Sequence, residues 1–296
     1  SLSNTFARHT THTRKAPAFG RGFSVFLEKR LDLECTPSAK LKITSMRKEV
    51  FKLVFSDTIR DAGFVAELLR TDPEFVERFG SFAFDEAAHQ GSLDEHTRFH
   101  VILAALLGCQ GVEAFTEMLP VALRVGVTPA EIKEIVYQAT AYLGFGRVFP
   151  FMRAVNETLT AQGIALPLEG AATTTRETRL EAGVQAQVDV FGEGMRDFWR
   201  SGEEESRHLK RWQAENCFGD WYTRKGLDLR QRELITLCLL AAQGGCEPQL
   251  TSHAANLWLG NDKRFLIDAI SQCLPYIGYP RSLNALRCVN EAAGNQ

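Results

Sequence analysis

The chain repeats itself at an interval of 134 residues, and this repeat constrains its fold more than any other feature. Residues 93–157 align without a gap on residues 227–291, and about a quarter of the aligned positions are identical. Among the shared residues, Arg98 aligns with Arg232. Self-similarity at a fixed offset is typical of a duplicated structural unit. We therefore expect two tandem copies of one small domain.

Apolar spacing inside each repeat is that of α-helices rather than strands. Asp228 with Gln231, and Thr128 with Glu131, form capping boxes at predicted helix starts. A stripe with the helical period follows the second of these starts: Ile132, Ile135, Val136, Ala139 and Leu143. We predict an all-α fold with helices near 56–70, 73–84, 95–108, 112–125, 129–143 and 147–161, and matching helices in the second repeat.

The repeat divides the chain into four predicted segments. Residues 46–162 and 184–296 carry the two repeats, residues 163–183 form a linker, and residues 1–45 form a basic extension rich in Ser and Thr. Residues 1–27 lack Asp and Glu, as organellar transit peptides do. We expect a cytoplasmic protein or, if the extension is a transit peptide, a mitochondrial or other organellar one.

Composition excludes several classes of function. A net charge of −2 gives no basic footprint for nucleic acid, and no apolar run is long enough to span a membrane. No G-x-S-x-G, G-x-G-x-x-G or P-loop pattern occurs, which argues against an α/β-hydrolase, a dinucleotide enzyme or a nucleotidase. Seven cysteines without regular spacing favour reduced thiols. We expect a small-molecule substrate and no cofactor, nucleic-acid or membrane partner.

Three polar residues of the second repeat, Glu233, Cys246 and His253, form the main candidate site. Glu233 begins a helix that is apolar on every side, and a Gly-Gly break separates that helix from the one carrying Cys246, Gln249 and His253. At 3.6 residues per turn, one helix face would hold positions 246, 249, 253, 257 and 260. We expect this face to point inward, with the carboxylate near its entrance.

The first repeat lacks all three of these polar residues together. Phe99 replaces Glu233, Val112 replaces Cys246, and Leu119 replaces His253, although the scaffold residues around them persist. The joint loss of these three residues favours one functional site in the second repeat. The alternative is that they form a hydrogen-bonded polar network in the core with a purely structural role. A carboxylate beside an imidazole can relay protons, and a cysteine beside an imidazolium can be held as a thiolate.

Other candidates carry weaker patterns. Arg281 could bind a substrate carboxylate, and we group it with Gln249 and Tyr276 as predicted substrate-binding residues, although Tyr276 and Arg281 recur in both repeats as scaffold residues do. His96 and His100 are four residues apart, but no carboxylate stands where a zinc-protease helix would need it. We therefore predict no metal site.

The second repeat resembles the carboxymuconolactone decarboxylase family, which also contains the AhpD-like alkylhydroperoxidases. The resemblance rests on Arg232-Glu233-Leu234, Gly245, His253, Gly260, Tyr276 and Gly278-Tyr279-Pro280. It covers about 220–291 well and about 85–157 more faintly. It implies tandem AhpD-like helical bundle domains, sites between packed helices, and a homo-oligomer of trimeric or hexamer-like form.

Two chemistries follow from this resemblance. In the peroxidase branch, Cys246, His253 and Glu233 match the first cysteine, the histidine and the glutamate, but Gln249 replaces the second cysteine of the C-x-x-C pair. In the decarboxylase branch no thiol is required, so His253 and Glu233 would act as an acid-base pair on a small organic acid or lactone. We favour the second chemistry, with a thiol peroxidase through Cys246 and a non-enzymatic helical scaffold as alternatives.

Overall fold

Helices account for the regular structure of the first repeat. The computed structural model describes residues 68, 70–256 and 259–294, and this part of the chain contains no β-strand. Helix α1 (Pro73–Gly80) continues as a π-helical segment, Ser81–Glu86. Four longer helices follow it: α2 (Glu95–Gly108), α3 (Val112–Arg124), α4 (Pro129–Leu143) and α5 (Phe145–Ala161).

The second repeat has the same order of helices after an added helix, α6 (Arg179–Phe191). Two 3₁₀ turns, Glu193–Met195 and Phe198–Arg200, lead to a short α7 (Arg207–Trp212) and a π-helical segment, Gln213–Tyr222. The remaining helices are α8 (Leu229–Gln243), α9 (Glu247–Ala254), α10 (Lys263–Ile277) and α11 (Tyr279–Gly294). The predicted all-α fold is confirmed.

Predicted bounds agree with the structure for most helices, with two clear differences. Helix α6 begins at Arg179, so the last residues of the predicted linker 163–183 are helical. Helix α9 ends at Ala254, well before the predicted end of its counterpart in the first repeat. The helix predicted over 56–70 lies almost entirely outside the described residues, as does the extension 1–45. The domain bounds stay a prediction.

Side-chain caps explain why the helices begin where they do. The carboxylates of Asp94 and Asp228 accept hydrogen bonds from the amides of Thr97 (2.7 Å) and Gln231 (2.8 Å) at equivalent positions of the two repeats. Each such cap satisfies a backbone donor that the first helical turn leaves free. The repeated caps place α2 and α8 in the same register within their repeats.

Helices α2 and α8 pack against each other at the centre of the molecule. Both are buried along almost their whole length, and they belong to one hydrophobic core shared by the two repeats. Gly108 permits the close approach, because a Cβ at this position would lie 2.6 Å from the Cβ of Ala242. The repeats therefore do not form separate cores.

Polar contacts between the repeats follow an approximate twofold relation. The Arg98 guanidinium donates to Gln272 Oε1 (3.0 Å), and the Arg232 guanidinium donates to the equivalent Gln138 Oε1 (2.9 Å). Arg232 also pairs with Glu134 across 3.1 Å, and both side chains are buried. Each repeat thus supplies the partner for a buried arginine of the other repeat.

Helix α6 covers one side of the second repeat. It lies against the π-helical segment Gln213–Tyr222, where Gly183 is so close that a Cβ would meet the carbonyl oxygen of Ala214 at 1.8 Å. A small apolar cluster beneath it holds Val190, Phe218 and Tyr222. This arrangement brings Tyr222 and the end of α6 to the first turn of α8.

No helix in the described residues is long and apolar enough to cross a membrane.

Candidate active site

The Glu233 carboxylate is the centre of the site. It lies in the second turn of α8 with its side chain only 2% exposed. Its Oε2 atom accepts hydrogen bonds from His253 Nδ1 (2.7 Å) and Asn256 Nδ2 (2.8 Å), and its Oε1 atom accepts one from the Tyr222 hydroxyl (2.8 Å). Both oxygens are therefore occupied by protein donors, which offsets the cost of burying the group.

Hydrogen bonds extend from this carboxylate into the first repeat. The Tyr222 hydroxyl lies 2.7 Å from the Thr236 hydroxyl and 2.7 Å from the Tyr142 hydroxyl, which α4 supplies. Gln138, also on α4, donates to Thr236 Oγ1 across 2.8 Å. The second repeat's site is thus completed by the first repeat, which fixes the position of the Tyr222 hydroxyl.

His253 lies at the outer edge of this network. Its ring packs edge-on against Tyr142 and Phe191, with ring centroids 5.6 Å and 5.2 Å away. The side chain is 9% exposed, whereas Glu233 beneath it is sealed from solvent. When Nδ1–H donates to the carboxylate, Nε2 keeps the free lone pair and becomes the basic atom of the ring. Among the described residues, none forms a hydrogen bond with this Nε2 atom.

The hydroxyls around the carboxylate stay protonated. Burial raises the pKa of Tyr222 and the pKa of Tyr142 well above the usual phenol value, and the nearby Glu233 charge adds to this effect. Burial also raises the pKa of the neighbouring Cys217 thiol to about 12. These groups therefore act as hydrogen-bond donors to fixed acceptors and carry no charge at neutral pH.

Cys246 does not join Glu233 and His253. It precedes the first residue of α9, and its Sγ atom lies 3.4 Å from the carbonyl oxygen of Leu240. No contact among the described residues joins Cys246 to His253. Burial raises the pKa of Cys246, so the expectation of a thiolate held by an imidazolium is wrong.

The predicted inward face of α9 is wrong as well. Gln249 is exposed, as is Gly260, whereas Leu250 and Ala254 are the residues that α9 buries. The helix ends at Ala254, so the 3.6-residue period cannot be extended from 246 to 260.

Tyr276 and Arg281 lie away from the Glu233 network. The Arg281 guanidinium donates to the carbonyl of Ala242, beside Gly244 and Cys246, and lines a narrow cleft with them. The Tyr276 ring packs edge-on against Phe79, in the first repeat. Neither residue contacts His253 in the described structure, so their predicted substrate-binding role gains no support from the geometry.

In the first repeat, apolar side chains fill the equivalent space. Phe99, Ile102, Leu119 and Ala122 stand at the positions of Glu233, Thr236, His253 and Asn256, and all four are buried. Tyr276 is the counterpart of Tyr142, and its buried hydroxyl has no hydrogen-bond partner among the described residues. The polar network is therefore present at one of the two equivalent places.

Tyr142, Tyr222, Thr236 and Asn256 were not predicted from the sequence. The duplication held a usable signal for two of them, because Thr236 and Asn256 align with Ile102 and Ala122, as Glu233 and His253 align with Phe99 and Leu119. No such signal existed for Tyr142, since the matching Tyr276 is also a tyrosine.

Comparison with known proteins gives a family and no curated relative. The model of the carboxymuconolactone decarboxylase family matches residues 73–157 and again residues 207–291, together more than half of the chain. No curated protein matches significantly. Among solved structures, a Burkholderia xenovorans protein described as a candidate gamma-carboxymuconolactone decarboxylase subunit is 19% identical, with a TM-score of 0.48, over 86% of this chain and 98% of its own.

Proposed function

The chain belongs to the carboxymuconolactone decarboxylase family, and on that premise we propose that it is a cofactor-independent enzyme acting on a small organic acid or lactone. His253 is the catalytic acid and base, and Glu233 is the residue that positions it. The observation that carries this proposal is the 2.7 Å contact between His253 Nδ1 and a buried carboxylate whose oxygens are all occupied.

The roles of the two residues follow from their surroundings. Glu233 is sealed from solvent and held by Tyr222 and Asn256, so it has no open side for a substrate. His253 lies between the network and the surface, and its Nε2 atom is directed away from the carboxylate. A base fixed through one ring nitrogen and free at the other is the arrangement that general acid-base catalysis requires.

Decarboxylation of a lactone acid gives a balanced reaction for this pair. The bond between the carboxylate carbon and the ring breaks, carbon dioxide leaves, and the electron pair stays on the ring carbon, conjugated with the lactone carbonyl. Protonated His253 transfers its Nε2 proton to a carbon of that conjugated system. Nε2 then takes up one proton from the solvent, which is the proton that the overall reaction consumes, and Glu233 stabilises the imidazolium during the cycle.

The distribution of polar residues between the repeats supports a catalytic role for His253 and Glu233 over a purely structural one. A buried network kept only for stability gains little over well-packed apolar groups, as the first repeat shows with Phe99 and Leu119 in the same places. The thiol alternative lacks such support, because no contact among the described residues joins Cys246 to His253 and because burial raises the pKa of Cys246.

The test is carbon dioxide release from gamma-carboxymuconolactone and a panel of carboxylated lactones and β-keto acids. His253→Gln should abolish turnover and keep the fold, since the amide still donates to Glu233. His208→Gln is the matched control, because this histidine is exposed on α7. Full activity in His253→Gln, or no turnover of any panel member by the wild type, would contradict the proposal and favour the scaffold alternative.

Exposed apolar residues support assembly of the chain with further copies of itself. Phe145 and Phe149 on α5 are exposed, and so are their repeat equivalents on α11, Tyr279 and Leu283. Paired apolar patches at equivalent positions suit an interface with another copy. Light scattering of wild type and Phe149→Lys should show loss of the oligomer in the variant; a monomeric wild type would refute this assignment.

A further inference from the structure

A second group of polar residues lies in the first repeat, outside the Glu233 network. His96 and His100 occupy the first two turns of α2, one helical turn apart, with ring centroids separated by 4.5 Å. Glu131, in the first turn of α4, turns its Oε1 atom toward both rings. This oxygen lies 3.1 Å from His96 Nε2 and 3.6 Å from His100 Nε2.

One atom of this cluster is left without a partner. The His100 side chain is 1% exposed, and its Nε2 atom is buried with no hydrogen bond to any described residue. A buried polar atom of this kind costs free energy unless something binds it. Because Nε2 points into the space between Glu131 and His96, the missing partner belongs at that point.

The spacing of the three ligand atoms fits a transition-metal ion. Zinc binds imidazole nitrogen and carboxylate oxygen at about 2.0–2.2 Å, so ligand atoms of a tetrahedral site lie about 3.3–3.6 Å apart. The distances from Glu131 Oε1 to the two imidazole nitrogens lie close to this range, and all three ligand atoms lie within 4.8 Å of one another. Small rotations of the His96 side chain, which is 34% exposed, would complete the geometry.

The surroundings also suit ligation. Glu131 Oε2 accepts a hydrogen bond from the Thr128 amide (2.7 Å), which orients the carboxylate. The same oxygen lies 3.3 Å from His96 Nε2, so a metal bound by Oε1 and His96 would replace this direct contact. The exposed His96 edge leaves room for entry of an ion and for water as a fourth ligand.

The second repeat has a different interaction at the same place. Arg230, Leu234 and Phe265 align with His96, His100 and Glu131, and the Arg230 guanidinium lies over the Phe265 ring, 4.7 Å from its centroid. A cation–π contact therefore links α8 to α10 in the second repeat. In the first repeat, the two histidines and the carboxylate face each other at the equivalent place between α2 and α4. The second repeat replaces all three residues of this cluster.

The sequence predicted no metal site, because the carboxylate near the two histidines comes from another helix. From the observations above we propose that His96, His100 and Glu131 bind one Zn²⁺ ion that bridges α2 and α4 of the first repeat. The site is separate from the Glu233 network: no contact among the described residues joins the two groups. It does not depend on the proposed decarboxylase activity, so each can fail without the other.

The experiment is titration of the full-length, chelator-stripped protein with Zn²⁺, using calorimetry and thermal unfolding. The wild type should bind one equivalent with a dissociation constant below about 1 μM, and its Tm should rise with zinc concentration. Co²⁺ bound at the same site should give the strong visible absorption of a four-coordinate ion.

Two variants separate this site from the free thiols of the chain. Glu131→Gln keeps the helix cap, because glutamine can replace glutamate in a capping box, and His96→Gln changes a partly exposed residue. Each should weaken zinc binding at least about 100-fold and abolish the Tm rise, since a metal ligand is lost. His208→Gln should bind as the wild type does. Absence of stoichiometric binding, or equal binding by Glu131→Gln and the wild type, would overturn the proposal.

Discussion

Tyr142 and Tyr276 are equivalent residues of the two repeats, and removing the hydroxyl of each should have opposite effects on stability. The Tyr142 hydroxyl lies 2.7 Å from that of Tyr222, inside the polar network. The Tyr276 hydroxyl is buried with no partner among the described residues. Tyr142→Phe and Tyr276→Phe delete the same oxygen from two buried sites and keep both rings, so they form a matched pair.

The size of each effect follows from the hydrogen bonds at the two sites. Tyr142→Phe removes one hydrogen bond, while Tyr222 keeps Glu233 and Thr236 as partners, so we expect a loss of about 1 kcal/mol. Tyr276→Phe removes an oxygen that pays a desolvation cost without a bond in return, so stability should stay equal or rise by up to about 1 kcal/mol. The two variants should therefore differ by about 1–2 kcal/mol.

Urea denaturation followed by circular dichroism measures this difference. The midpoints should separate with unchanged m-values, because neither substitution alters the surface exposed on unfolding. Thermal midpoints should differ in the same direction, by about 2–4 °C per kcal/mol for a chain of this size. Equal destabilisation by the two variants would refute the reasoning, since it would mean that Tyr276 has a polar partner as valuable as Tyr222.

Two further predictions test the scaffold and the thiol. Arg232→Leu should lower the free energy of unfolding by about 3 kcal/mol, because it leaves the buried Glu134 with Arg224 as its remaining cationic partner. Arg196→Leu, at an exposed ion pair, should leave the urea midpoint close to that of the wild type. Equal urea midpoints for the two variants would contradict this prediction. Because burial raises the pKa of Cys246, iodoacetamide should label this thiol more slowly at pH 7 than it labels free cysteine, and the labelling should accelerate as the pH rises. Mass spectrometry measures the labelling. Rapid and selective labelling of Cys246 at pH 7 would contradict this prediction and support the thiol alternative.

The helices and their duplication could be predicted from the sequence because both depend on local spacing. Capping residues such as Thr128 and Asp228 stand a fixed three residues before their partners, and apolar stripes follow the helical period. The pairing of Glu233 with His253 was also accessible, because both residues differ from their apolar counterparts in the first repeat. Comparison of two copies of one scaffold separates residues kept for packing from residues kept for another purpose.

Extrapolation of a helical period failed where the helix itself ended. Cys246 shares a predicted face with His253, but its φ of −139° places it ahead of α9, where it turns toward Leu240. Likewise Gln249 belongs to a short helix that buries Leu250 instead. A period identifies a shared face only while the backbone stays helical, and sequence alone did not locate the ends of α9.

Sequence by itself determined that this chain is two copies of one helical unit and that the second copy carries a carboxylate and an imidazole absent from the first. Tertiary structure alone decided which helices face each other. It brought Tyr142 from the first repeat to Glu233 of the second, and it set Glu131 of α4 against His96 and His100 of α2. The physical reason is that helical spacing relates residues within one helix, whereas contacts between helices depend on how their buried faces pack.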